Sequence, residues 1–505
     1  MLTAIRACLL VAGPLIFVSG IILDDPLWLL AAVITTWLGS LIYTWQKWQR
    51  LFVMGFFLLC FSVFLMWRPV INVARGNLWL SQPPSGTFFA LKLLMLSLVS
   101  LQIGAFSVSF IRERADQTVG SLHPQQPRRL SMSPIEERRD TDPYIQAFAT
   151  VSLILFIVGL VASYYLGYEK LAFMQGREYI EFFALYTEQA SLPVRTLATF
   201  MPYALCAYLV TMPRKHMAFT VLTLYISTQL PTLLIGLRGR FMFAVVFAVV
   251  YYVFRHRRES RDVWLGTFEK LALLLGAPVA VLALNALNYL RAGTTTHFAA
   301  ITDSFLDFFH KQGVSFKMLT FSYSEIPRLP DGFHSYTFGP IIDYVTRGPI
   351  GQAMGNKPLP GNNSVEMALE SNSFSHAMSF LTHSNYLGGE GYGSSYTIEL
   401  FTDFGWLGVL IGGIVLGVSL TLIPSFIDRG GVIGIATLYA VTQIMWLPRD
   451  SALGWVSFLS TPQFWLFVII CLVGAATWQH VRRPLYAYNY DIDSLRRAHA
   501  PIYSR

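Results

Sequence analysis

Long apolar runs separated by short polar interruptions account for most of the chain. They fall at about 7–23, 27–43, 51–67, 88–110, 144–165, 194–212, 217–237, 241–254, 270–290, 398–426, 432–447 and 458–478. A segment in hydrocarbon has no water to satisfy its backbone, so each run is expected to be a helix. The pattern predicts an all-α polytopic membrane protein with about 12 transmembrane helices. Three longer polar stretches divide it. Residues 111–143 are charged and proline-rich and read as a linker, residues 291–397 form a loop of roughly a hundred residues, and 481–505 form a tail. The expected organisation is a four-helix region over 1–110, five helices over 144–290, the large loop, and three helices over 398–480.

Composition agrees with the pattern. The chain is 54% hydrophobic and 13% charged, against about 25% charged in soluble domains. The net charge of +8 does not indicate nucleic acid, because the basic residues cluster in short loops. If the runs alternate, more than half of the 37 lysines and arginines share one side, including Arg6, Lys47, Arg214, Lys215, Arg255, Arg257 and the tail. The positive-inside rule makes that side the cytoplasm and puts both termini there. The first run lacks a convincing cleavage site before Asp24 and reads as a span rather than a signal peptide. Cys8, Cys60, Cys206 and Cys471 all lie in apolar runs, as packing residues do. No metal set or cofactor motif is expected.

Against that rule, four arginines stand where spans leave the membrane on the other side. Arg238 and Arg240 close the seventh run, Arg291 leaves the ninth, and Arg449 leaves the eleventh. Arginine suits phosphate because its planar fork donates two parallel charge-assisted hydrogen bonds. Span length sharpens the point. At ~1.5 Å per residue the run 241–254 covers roughly 21 Å, short of a ~30 Å hydrocarbon core. Either the basic residues at its far end snorkel, or Arg238 and Arg240 are drawn down to phosphate depth.

A second constellation closes the large loop, from His383 through the glycine-rich 387–393 to Glu399, Asp403 and Gly405. Glycines there allow close backbone approach to a ligand. His383, Glu390, Glu399 and Asp403 are candidate proton acceptors, with Glu399 and His383 foremost. Asp491 and Asp493 in the tail mimic a metal-binding carboxylate pair but have no supporting context.

Gly236-Leu237-Arg238-Gly239-Arg240 before an apolar run resembles the Gly-x-Arg turn of Wzy-type O-antigen and enterobacterial common antigen polymerases. The stretch from Glu399 to Gly405-Trp406-Leu407-Gly408 looks like that family's helix entry, Leu447-Pro448-Arg449-Asp450 its later arginine turn, and Tyr289-Leu290-Arg291 another of its arginines. His383-Ser384-Asn385-Tyr386-Leu387 is similar to an element of the related O-antigen ligases. The resemblance implies a GT-C-like, metal-independent membrane glycosyltransferase. It would move a glycan en bloc from undecaprenyl pyrophosphate to a lipid-linked repeat unit at the periplasmic face of a bacterial inner membrane. Arg238, Arg240, Arg291 and Arg449 would bind pyrophosphate, and a chain-length regulator and a flippase are the expected partners. Two rival readings are an O-antigen ligase using the same donor and a polysaccharide or ion transporter. Transporters usually carry charges in mid-membrane, whereas these lie at span ends.

Overall fold

In the computed structural model the described residues are 2–76, 84–122, 139, 142–257, 263–291, 301–330 and 334–498. Among them the chain is helical, with no strand. Helices stand at all twelve predicted positions: α1 Leu2–Ile22, α2 Pro26–Gln46, α3 Trp48–Ala74, α4 Pro84–Leu122, α5 Pro143–Phe173, α6 Leu192–Val210, α7 Lys215–Leu234, α8 Arg238–His256, α9 Thr267–Arg291. After the large loop come α14 Tyr396–Arg429, α15 Gly431–Ile444 and α16 Pro462–Ala498. Nine described helices are long and apolar enough to cross a membrane, and α15 is shorter. The protein is a multi-pass all-α membrane protein.

Sequence and structure part at three places. The third run ends at Trp67 in the apolar pattern, but α3 passes through a π turn at Ser62–Met66 and continues to Ala74, so Arg68 is helical. The seventh run is broken at Thr228–Gln229, and Leu230–Leu234 forms its own turn with Pro231 at its start. α14 is kinked at Gly405, whose φ of +62° is open to glycine. Most of the linker 111–143 lies outside the described residues.

Small residues let the central helices approach closely, as expected where lipid offers no hydrophobic drive. A Cβ on Gly104 of α4 would meet Ile414 O of α14 at 2.2 Å, and one on Gly417 would meet Leu101 O at 2.1 Å. Ser40 donates to Gln102 at 2.8 Å across α2 and α4. The large loop forms a layer of short helices over one face: α10 Ile301–Gln312, α11 Val314–Glu325, α12 Gly339–Arg347 and α13 Phe374–Thr382. Asp403 of α14 holds this layer down, accepting Tyr336 N–H at 3.2 Å and Thr337 N–H at 2.7 Å. On the opposite face the basic residues of the short connections meet one another's partners, as in Lys47–Glu113, Lys215–Glu269 and Arg257–Asp428.

Candidate active site

Arg238 is not in a loop but opens α8, which runs 19 residues to His256. At ~1.5 Å per residue that is about 28 Å, enough to cross. Both charged ends are therefore part of the spanning helix. At the far end Arg255 is 2% exposed, donates to Pro213 O at 2.9 Å and lies 4.4 Å from the Trp264 ring. At the near end the first residue is preceded by Leu237, and no side chain caps the free N–H groups. Those amides and the helix dipole favour an anion, and arginine beside them raises the positive potential further.

Arg240 opens from this turn into a cavity of about 640 Å³. Lys170 at the end of α5 and Arg195 at the start of α6 face the same cavity, with Glu188 as its one carboxylate. Arg240 is close enough to Lys170 to oppose its charge. Tyr186, Tyr225, Tyr439, Gln229, Gln443 and the loop's Asn362 supply aromatic and amide groups. The mix suits a sugar phosphate, with planar faces, amides and three cations in a space of ligand size. Tyr186 donates to Glu169 at 3.0 Å, and burial together with that carboxylate pushes its hydroxyl pKa up.

Trp446 joins the two arginine turns that the sequence set side by side. A Cβ on Gly239 would lie 2.1 Å from the Trp446 ring, so glycine between Arg238 and Arg240 is what lets the indole seat. The ring stacks on Phe243 at 3.9 Å, and Phe64 stacks on both. Three residues on, Arg449 lies over Phe64 at 5.8 Å and donates weakly to Gln312 at 3.4 Å. A Cβ on Gly393 would meet its Cγ at 3.0 Å, so the glycine-rich strap makes room for this arginine. Arg449 is half-buried and Asp450 beside it is exposed. Burial lowers the proton affinity of Arg449.

The two foremost proton acceptors have different surroundings. Glu399 is 0% exposed, accepts Ser394 Oγ–H at 2.6 Å and accepts Ala452 N–H at 2.8 Å. Both oxygens are engaged, and they tie the Arg449 turn to the head of α14. His383 is half-buried; its Nδ1 is 3.1 Å from Glu390 Oε2, off the line of a hydrogen bond, and its ring is 5.2 Å from Tyr392. The Tyr392–Gly393 strap thus neighbours His383 through the Tyr392 ring and Arg449 at Gly393. Arg291 ends α9, and its side chain lies outside the described residues. Sequence reasoning missed Lys170 and Arg195, although both are span-end cations on the loop face and meet the criterion that singled out Arg238.

Comparison with curated proteins and with solved structures finds no match. The family model described as O-antigen polysaccharide polymerase Wzy matches residues 5–481, nearly the whole chain. The chain therefore belongs to the O-antigen polysaccharide polymerase Wzy family, multi-pass membrane enzymes that polymerise lipid-linked oligosaccharide repeat units.

Proposed function

We propose that the chain transfers a glycan en bloc from undecaprenyl pyrophosphate to the non-reducing end of a lipid-linked repeat unit, with the loop face as the periplasmic side. The observation that carries this reading is the convergence of Arg240, Lys170 and Arg195 on one cavity beside the uncapped start of α8. The donor pyrophosphate sits there. As the acceptor hydroxyl oxygen bonds to the anomeric carbon, the bond from that carbon to the pyrophosphate oxygen breaks, and charge grows on the leaving group. Fixed cations at that point stabilise the transition state more than the ground state, a task that a divalent metal performs in other transferases. The acceptor proton passes to His383, oriented by Glu390, because His383 is the accessible base of the pair and Glu399 is enclosed. Glu399 positions the Arg449 turn. A flippase that supplies the donor and a chain-length regulator are the partners this chemistry calls for.

The test is polymer length against protein level for Arg240→Ala and Arg240→Lys. A charge-assisted contact is worth ~1.5–3 kcal/mol, or about 10- to 100-fold in rate. Alanine should leave chains of one or a few units at normal abundance, and lysine should recover only part because it loses the fork. Full-length polymer from Arg240→Ala would remove the donor site from this cavity. A deletion strain with no surface glycan at all, single units included, would instead favour export or ligation.

A further inference from the structure

Arg68, Arg449 and Lys317 come from three distant parts of the chain and meet outside the Arg240 cavity. Arg68 lies one helical turn beyond Phe64 on α3, and a Cβ on Gly313 would touch its Cβ at 2.5 Å. Arg449 reaches Gln312 and covers Phe64, while the Arg68 guanidinium donates to His310 O at 3.3 Å, so both arginines bond to the last turn of α10. Lys317, one turn along α11, has its Nζ 5.1 Å from the Phe321 ring and 5.5 Å from the Tyr392 ring. Tyr392 precedes the glycine that admits Arg449. The strap therefore closes a nest with three cations around it.

The nest is short of negative charge. Among the described residues the only oxygens bonded to these arginines are His310 O, 3.3 Å from Arg68, and Gln312 Oε1, 3.4 Å from Arg449. Arg68 Nε is buried without an acceptor. No carboxylate among the described residues pairs with any of the three. An enclosed cation with no counter-charge costs several kcal/mol, and arginine cannot escape by losing its proton. Exposed Trp67, next to Arg68, marks the depth as that of lipid headgroups. An anion there removes the cost.

We propose that Arg68, Lys317 and Arg449 form a second anion site, which takes the diphosphate of the other lipid-linked substrate, the acceptor. This assignment rests on the polymerase reading above, in which two such substrates must lie in the membrane at once. One diphosphate binds in the Arg240 cavity and the other in the nest.

The test is titration calorimetry of the full chain in phosphatidylcholine nanodiscs with inorganic pyrophosphate. The expected result is two ions per chain. Arg240→Ala should lose one site. Arg68→Gln should weaken the other about tenfold, the scale of one charge-assisted contact, while the ligand-free melting temperature stays the same or rises. Should Arg68→Gln not fold, Lys317→Gln carries the same expectation, since its charge lies against the Phe321 and Tyr392 rings. A single ion per chain, lost in Arg240→Ala and untouched by Lys317→Gln, overturns the second site and leaves the first standing. Two sites of which Arg240→Ala disturbs neither sink the donor reading instead. If discs of phosphatidylglycerol abolish the second site, its occupant is a lipid headgroup and the acceptor assignment falls.

Discussion

The two ends of the helix bundle carry the same residue types and treat them differently. Opposite the large loop the cations have partners: Lys47 with Glu113, Lys215 with Glu269, Arg257 with Asp428, and Arg255 with a carbonyl and an indole. On the loop face, rim cations are paired as well, Arg75 with Asp307 and Arg347 with Glu370. Six at its centre are not. Lys170, Arg195, Arg240, Arg68, Lys317 and Arg449 have no carboxylate bonded to them among the described residues. Charges that serve the fold are neutralised within it, and charges left over at one place mark where the fold awaits a ligand. Net charge alone cannot make that distinction.

The comparison can be broken at either end. The largest effect should come from His383. If it takes the acceptor proton, His383→Gln should lower chain growth ~10²- to 10⁴-fold at normal protein level. Wild-type polymer in that variant would end its role as base. Next comes a paired charge on the opposite face. Asp428→Ala removes the carboxylate that Arg257 meets at 2.7 Å in a largely buried site, where breaking a pair costs about 3–5 kcal/mol. Abundance and melting temperature should fall, while activity per surviving molecule stays. A loss of specific activity without a loss of stability would erase the contrast between the faces.

Arg240→Ala should do the reverse, lowering specific activity by about 10- to 100-fold with no change in melting temperature. The smallest effect is expected at Glu399. Glutamine keeps one oxygen for Ala452 N–H, and Ser394 can turn its hydroxyl to accept from the new amide. The cost should be about 1 kcal/mol of stability and under about tenfold in activity. Loss of polymer by more than about a hundredfold at normal abundance would make Glu399 the base and His383 its support.

Much of this was legible in the sequence because it is local. Whether a segment spans lipid depends on its own side chains and on the backbone's need to bond within itself, so the helices at all twelve positions follow from apolar runs. Arg238 and Arg240 stood out because, if the runs alternate, they fall on the less basic side, where arginine is unexpected. What only the tertiary structure decided is which charges have partners. Glu399 reads as a free carboxylate until Ala452, distant in sequence, bonds to it. Arg68 reads as a loop residue until α3 carries it past a π turn to Gly313, next to the Gln312 that Arg449 reaches. Lys170, Arg195 and Arg240 share a cavity only because three helices end together. The energy of a charge is set by what lies within a few ångströms of it, and in this chain those neighbours come from segments far apart in sequence.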